Sequence, residues 1–553
     1  MTFLFEILIF IGICFISTIS LAGLGQLIIY KIDKNFFEST FYGFIIISLL
    51  TTSIHFFFKI SIFISIIIFL LGFFIGIKVY LFSKTKINNK FSLYLIFFLI
   101  FVPIYISQKF HEDFGYYHLP YIINFISEKI IFGLANINLA FVGNSIWLNI
   151  LPIFYMENNY NFVTIPTFLS YFLFITFSIE KIFTDQQKKI SNYYLIVSIF
   201  YLILKFTRIS EYGNDIPAIV FSILSIYNFI RFHEEKEIQI QKEKFFSNLS
   251  FAFFAILIKF SSIPILLFTI YLFFKNFKIL KNDIFKLNYL LIYFVCFIFF
   301  IQQFIYTGCF IFPSNFSCLN VSWLDENFVN AKYRLGLINK SYFATTARDI
   351  MSEKEYLNNF NWIPFWFKRS YTGMFEHLLT MIMPLILFLF FLKKSKIKEN
   401  FKILNLKIFF LITIAGFFFW LNMSPVYRFG IIHFIGLVFL STFLIYRKKS
   451  FNKKIFVIFI SLFLFFNFSK NIKRIMEEEE IFLGIKKIEN EFIPNVKFSN
   501  NIIPVYQPDI LANANKGNGW QGRLCWDIKF ICTMNRILIS KNRNYLVIKN
   551  LGE

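Results

Sequence analysis

The sequence predicts an all-α polytopic membrane protein of about 12–14 transmembrane helices. Three observations predict it. Apolar runs long enough to cross a bilayer recur along the chain. Short lysine-rich loops fall at every second junction between those runs, which is the bias of cytoplasmic loops. The composition, 57% hydrophobic and 16% charged with a mean hydropathy of +0.64, lies outside the range of soluble globular domains. Phenylalanine is extreme at 86 residues, but Ile, Lys and Asn are abundant too, so this is compositional drift and argues for no aromatic site. The formal net charge, 55 − 32 = +23, would suggest nucleic acid as the partner of a soluble protein. Here the cations sit mostly in short inter-helix loops, so topology accounts for them and no nucleic-acid partner is expected.

Met1 to Tyr30 is apolar, lacks a basic leader and is followed by Lys31 and Lys34; it reads as a retained span with its N-terminus outside. Further spans are expected at 41–58, 60–82 and 91–110, with Lys84, Lys86 and Lys90 in a cytoplasmic loop. Residues 1–108 thus form an N-terminal group of transmembrane helices. An outer segment, 109–160, follows. It is too polar for a comfortable span, with Asn124, Glu128, Lys129, Asn136, Asn138 and Asn144, and is expected to form helices lying along the interface. The transmembrane core, 161–306, contains spans at 161–182, 191–207, 216–232 and 287–306. Within it, Asn248–Lys275 has lysine-rich loops on both sides and needs an even number of crossings. Two short helices meeting at an outward-facing turn, Lys259-Phe-Ser-Ser-Ile-Pro264, satisfy that count. A loop segment at 307–373, C-terminal spans at 374–392, 405–422, 429–446 and 455–469, and a small outer domain at 470–553 complete the chain.

Polar clusters in so apolar a chain need a reason. His111, Glu112, Asp113 and His118 lie within eight residues, Lys109-Phe-His-Glu-Asp-Phe-Gly-Tyr-Tyr-His-Leu-Pro120, just after a span. An acidic pair there can act as a general base or hold a cation; the plain alternative is a solvated turn that ends a helix. Arg208, Glu211 and Asp215 join two spans, where an interfacial turn is an equally good account. Arg428, in Ser424-Pro-Val-Tyr-Arg-Phe-Gly430, could simply snorkel to the membrane surface. Lys259 is harder to dismiss, because a lysine in the middle of an apolar hairpin normally marks a pathway or an anion site. All four clusters fall on the same outer side. A base-competent carboxylate and several cations on one face suit a substrate with phosphate at its reacting end.

The six cysteines agree with this map. Cys14 and Cys296 lie within spans and read as small core residues. Cys309 and Cys318 share one outer segment, and Cys525 and Cys532 share the other. Two local pairs in outer regions suggest two disulfides in an oxidising compartment, the periplasm of a Gram-negative cell.

The layout resembles the GT-C superfamily of multi-pass glycosyltransferases, in which an acidic motif sits in the first large outer loop, after a span and before interfacial helices. Glu112-Asp113-Phe-Gly-Tyr-Tyr-His is similar to that kind of motif, and Lys259-Phe-Ser-Ser-Ile-Pro resembles a Lys-aromatic-Ser/Thr segment of mannosyltransferase-like and aminoarabinose-transferase-like members. Glu-Asp-Phe-x-Tyr-Tyr-His-Leu-Pro, Ser210-Glu-Tyr-Gly-Asn-Asp215 and Cys525-Trp-Asp-x4-Cys532 more closely resemble a group of largely uncharacterised bacterial membrane proteins related to GT-C enzymes. Several spans precede the acidic loop here, where the simplest family pattern has one. The resemblance implies sugar transfer with inversion. The donor would be a polyprenyl-phosphate-linked sugar, and the acceptor a glycan, lipid or protein on the outer face of a bacterial inner membrane. It implies Asp113 as base with Glu112 assisting, or Glu112, Asp113 and His118 sharing a divalent cation (Mg or Mn). His111, Tyr117, His118, Arg208, Glu211 and Asp215 would contact substrate, and Lys259 and Arg428 would neutralise the departing phosphate. A flippase for lipid-linked oligosaccharides or a polymerase of polysaccharide repeats would use the same cations.

Overall fold

A computed structural model describes residues 2–29, 36–80, 90–107, 113–143, 145–157, 160–185, 189–206, 213–312, 314–325, 331–394, 403–477, 505–506, 525, 531–533, 535 and 537–550. Among these, ten helices are long and apolar enough to cross a membrane, and three shorter apolar helical stretches accompany them, Tyr94–Ile106, Ile190–Lys205 and Phe260–Lys275. The chain is a polytopic membrane protein.

The elements are α1 (Thr2–Gly25), α2 (Phe36–His55), α3 (Ile62–Tyr80), α4 (Lys90–Ile106), α5 (Leu119–Ser127), α6 (Ile165–Thr184), α7 (Lys189–Lys205), α8 (Asp215–Glu234) and α9 (Ile238–Ile258). They continue with α10 (Leu266–Lys275), α11 (Phe277–Leu280), α12 (Leu287–Thr307), α13 (Ala331–Asn339), α14 (Glu353–Leu357), α15 (Trp362–Phe391), α16 (Ile403–Met423), α17 (Tyr427–Tyr446) and α18 (Lys453–Glu477). Helices α6 and α8 are buried along almost their whole length, whereas α3 and α16 expose apolar faces. Without water to solvate peptide groups, helices are the elements that can be stacked this way in lipid. Small residues let the first three pack closely: a Cβ on Gly23 would lie 2.0 Å from the Gly72 carbonyl oxygen and 2.5 Å from the Gly76 nitrogen. The α1–α3 contact is therefore backbone against backbone.

The helix ends sort into two sets. At one end, Gln26 donates to Ser39 (2.8 Å), Arg231 pairs with Asp185 (2.6 Å), Lys244 lies 3.7 Å from Glu38, and Lys449 donates to the Leu392 carbonyl (3.0 Å). At the other end, Ile130 N–H donates to His55 O (3.0 Å), Tyr171 hydroxyl donates to Phe206 O (3.3 Å) and Trp366 Nε1 donates to Pro425 O (2.7 Å). Among the described residues, the contacts of the first set flank lysine-rich junctions.

Four boundaries differ from the expectation. The first limb of the Lys259 hairpin is the 21-residue α9, starting at Ile238, so it is a full-length helix; its Gln239–Lys244 start is polar, which hid it. The second limb is short as expected, a 3-10 turn (Phe260–Ile265) followed by the ten residues of α10. Helix α15 begins at Trp362, well before 374, and α18 runs to Glu477, so Lys470, Lys473 and Arg474 ride on a helix instead of opening the terminal domain. In the 121–155 segment, where one or two interfacial helices are expected, the structure has one helix. It is the nine-residue α5, which 3-10 turns follow, and most of the segment is buried. Gly133 at φ +73°, an Asn138 side chain capping Ala140 N–H (2.9 Å) and Pro152 break it into turns.

The segments outside the helices contain a little β structure, which the all-α expectation omitted. β1 (Val505–Tyr506) pairs in parallel with β2 (Ile531–Cys532), and β3 (Ile537–Asn542) forms an antiparallel hairpin with β4 (Tyr545–Asn550). This hairpin docks on the turns after α5. Ile548 N–H donates to Phe132 O and Phe132 N–H donates to Leu546 O (both 2.9 Å), and Asn136 Nδ2 donates to Ile548 O (2.8 Å). Disulfides join Cys309 to Cys318 and Cys525 to Cys532, nine and seven residues apart, as the local pairing suggests. Closing such loops is worth about 2–3 kcal/mol each in the chain-entropy picture.

At the lysine-rich end Asp283 lies between Lys242 (2.8 Å) and Lys286. Burial pushes its carboxyl up, but the two ammonium groups outweigh this and hold it below the usual carboxylate range. A depressed carboxylate stabilises the fold fully above the unfolded pKa, about 3.9, and loses that contribution as pH falls through its folded value. Asp283→Asn should therefore cost about 1–3 kcal/mol at pH 7. Thermal melts of detergent-purified protein should show the gap from the parent closing as pH falls below about 4.

Candidate functional site

The site is built where α8, α9 and α17 end together. Asp215 is the first residue of α8, where the helix dipole favours a carboxylate. Lys259 is the C-cap of α9. It leaves the helix in an extended conformation (φ −154°, ψ 118°), and the 3-10 turn with Pro264 follows at once. Arg428 is in the first turn of α17. A cation at a helix start opposes the dipole, so Arg428 needs an anion nearby.

Asp215 supplies it. Lys259 Nζ forms a salt bridge to Asp215 Oδ1, and Arg428 Nε lies 3.4 Å from Asp215 Oδ2. One carboxylate thus holds two cations, one per oxygen. Phe429 backs both: Lys259 Nζ is 3.4 Å from the ring centroid and the Arg428 guanidinium is 5.5 Å from it. The side chains of Asp215 and Lys259 are 24% and 22% exposed and that of Arg428 is 47% exposed, so Arg428 is the open face of the cluster. The formal charge of the three is +1.

Of the segment that carries the acidic motif, His118 stands near this cluster. Asp113 precedes a π-helical turn, Phe114–His118, a helix type that recurs at functional sites. His118 is buried and close enough to act electrostatically on the Asp215 carboxylate. Tyr117 packs its ring 4.1 Å from that of His118. The turn is pinned from outside: Asn138 Nδ2 donates to Tyr116 O (3.2 Å), and Cys525 N–H, from the second disulfide, donates to Gly115 O (3.1 Å). His111, Glu112, Arg208 and Glu211 lie outside the described residues. The structure thus brings together Asp215, Lys259 and Arg428, with His118 adjacent.

Sequence reasoning missed a neighbouring group on α7, α15 and α17. Lys205 pairs with Glu376 (2.5 Å), Tyr201 hydroxyl and His377 Nδ1 are 2.7 Å apart, and the His377 ring lies 4.7 Å from that of Tyr427. Tyr427 and Arg428 are consecutive, so the first turn of α17 has one group on each side. The signal was a charged residue and a histidine, Glu376-His377, inside the apolar run of α15.

A magnesium ion is usually held by one or two carboxylates, with waters and substrate phosphates completing its shell. Among the described residues no group of three His, Cys, Asp or Glu side chains is arranged to hold one. Asp113 and His118 are the described members of the expected set. Asp215 is already engaged by two side-chain cations, Lys259 and Arg428.

No curated protein and no solved structure matches the chain. A family model described as Domain of unknown function (DUF8201) matches residues 1–435, which include His118, Asp215, Lys259 and Arg428 and exclude the terminal hairpin. With well over half of its 553 residues matched, the chain belongs to the DUF8201 family.

Proposed function

We propose that the protein is a membrane glycosyltransferase of the GT-C type. It moves a sugar from a polyprenyl-phosphate-linked donor to a cell-envelope glycan, lipid or protein acceptor on the outer, periplasmic face of a bacterial inner membrane. The observation that carries this reading is the pair of cations, Lys259 and Arg428, fixed by Asp215 at the end of the helix bundle. A lipid-linked phosphate reaches a protein at such an end, and Arg428 is exposed there to meet it.

In the reaction the acceptor hydroxyl oxygen attacks the anomeric carbon, and the bond from that carbon to the phosphate oxygen breaks. The bonding electrons leave with the polyprenyl phosphate, whose new charge Lys259 and Arg428 neutralise. Asp113 accepts the hydroxyl proton. Asp215 touches neither reactant; it holds the cations at their spacing and reduces their charge, which lets the phosphate depart. The two disulfides support an oxidising compartment on this side.

The test uses the lipid-linked sugar that accumulates in a deletion strain. Full-length protein in proteoliposomes should consume that lipid and release polyprenyl phosphate. A deletion strain that accumulates no such lipid contradicts the proposal. Accumulation on the inner leaflet alone, with the sugar–phosphate bond left intact by the purified protein, assigns the cations to a flippase instead.

A further inference from the structure

The segment between α5 and α6 touches the candidate site at two places. Near its start the Asn138 side chain makes two hydrogen bonds. Its Oδ1 accepts from Ala140 N–H (2.9 Å), which caps a 3-10 turn. Its Nδ2 donates to Tyr116 O (3.2 Å), inside the π-helical turn that Asp113 leads into. Further on, Ser145 Oγ donates to Ile258 O (2.8 Å) and Ile146 N–H donates to Leu257 O (3.1 Å). These are among the last carbonyls of α9, which an α-helix cannot pair within itself. Pairing them from outside lets the chain leave the helix at Lys259 in an extended conformation. Ser145, Leu257 and Ile258 are all buried.

The same segment is bolted to the bundle. Trp147 Nε1 donates to Thr167 Oγ1 (3.2 Å), at the start of α6. Asn149 Nδ2 donates to Thr52 Oγ1 (2.9 Å) on α2 and to Gln302 Oε1 (2.7 Å) on α12, and Asn149 Oδ1 accepts from the Tyr121 hydroxyl (2.8 Å) on α5. Asn149 is fully buried among these neutral partners, where a hydrogen bond is stronger than in water. Four helices and the segment therefore form one frame, and a frame locked by packing and hydrogen bonds fixes the groups attached to it.

We infer that Asn138 and Ser145 are positioning residues, which hold the turn led by Asp113 and the helix break at Lys259 to one shared frame. The inference rests on the function proposed above, in which Asp113 takes the acceptor proton and Lys259 meets the departing phosphate. Each residue acts through the backbone, Asn138 on Tyr116 O and Ser145 on Ile258 O, one residue before Lys259. Groups that act on one reaction must keep their spacing to within about 0.5 Å, and groups on separate elements keep it only through a common support. The inference also accounts for the irregular backbone of the segment. In a helix the Ile146 N–H would be engaged internally and could not reach Leu257 O.

The experiment compares Asn138→Ser and Ser145→Ala with the parent, all as full-length proteins in proteoliposomes. Serine still caps the Ala140 N–H but is too short to reach Tyr116 O, so Asn138→Ser cuts the tie and keeps the local turn. Amide hydrogen exchange should rise about tenfold in the Phe114–His118 turn of Asn138→Ser, and about tenfold around Lys259–Ser262 in Ser145→Ala, the factor one hydrogen bond supports. Each variant should leave the other region at the parent rate. With the lipid-linked sugar from a deletion strain as donor, Asn138→Ser should lower kcat about tenfold at an unchanged KM, and Ser145→Ala should also raise the KM for the donor. A general loss of stability would instead move both regions and both constants alike in both variants. Should Ser145→Ala fail to insert, Ser145→Cys, close in size with a weak S–H donor, makes the same comparison with a smaller shift. Exchange unchanged in the tied region of either variant overturns the inference, as does exchange that rises across the whole chain. Local exchange that rises while kcat and KM stay at the parent values overturns it too, because the ties would then be structural only. A parent protein that transfers no sugar overturns the proposed function, and the exchange arm then still decides whether the segment holds both turns.

Discussion

Lys259→Met should lower sugar transfer by about 10²–10³-fold, the loss expected when one preorganised charge is removed from a developing anion. The variant keeps most of the apolar stem but removes the ammonium, and with it the charge and the cation–π contact with Phe429. It also leaves Asp215 with Arg428 alone, at 3.4 Å. Breaking a buried pair is costly, but both Asp215 and Lys259 retain about a quarter of their exposure, so the stability loss should stay near about 1–3 kcal/mol. A normally inserted variant is therefore expected, and the loss should appear in turnover. Lys259→Arg separates charge from shape: it keeps the cation over Phe429 and should recover part of the rate. The measurement is release of polyprenyl phosphate by purified protein in proteoliposomes. A Lys259→Met variant that inserts normally and turns over at the parent rate would remove this lysine from the leaving-group role.

The helix bundle was legible because membranes make the code simple. Length, apolarity and the lysine bias of alternate loops act on whole segments, so the order of crossings survives errors at any one residue. The Lys259 hairpin shows this: the loops on either side demanded an even number of passes, and the segment folds as two helices, α9 and α10, joined at Lys259. Boundaries were less legible, because a span that continues past the membrane surface becomes polar. Gln239–Lys244 and Trp362–Gly373 are helical although their composition reads as loop. The β3–β4 hairpin carried a signal that was passed over. Ile537–Ser540 and Tyr545–Ile548 are rich in strand formers and are joined through Arg543 and Asn544, both at positive φ, as a two-residue hairpin turn requires. At the site, the sequence pointed to Asp215, Lys259 and Arg428 as groups on one common side. That one carboxylate binds both cations depends on where α8, α9 and α17 end relative to each other, which is a matter of tertiary packing and has no local signature. The Glu376-His377 pair could have been found by the criterion applied to Lys259, a polar group within an apolar run.

Asp113→Asn should remove about 10²–10⁴ in turnover if the carboxylate takes the acceptor proton, because the amide can still accept a hydrogen bond but cannot accept the proton. Two features make the substitution informative. Asp113 has helical backbone angles (φ −54°, ψ −27°) and leads directly into the π-helical turn, so an isosteric change should not disturb its surroundings. That turn is tied down through Gly115 O and Tyr116 O, neither of which involves the residue 113 side chain. With donor binding assigned to Lys259 and Arg428 in the proposed function, the variant should bind lipid-linked sugar about as well as the parent while failing to transfer it. This pattern, a lower kcat at a similar KM, is the opposite of a general loss of folding. In cells the surface glycan should be lost while the donor lipid accumulates. If Glu112→Gln shows the large loss and Asp113→Asn does not, the proton goes to Glu112. An intact glycan in normally inserted variants of both carboxylates would leave the motif with no part in the chemistry.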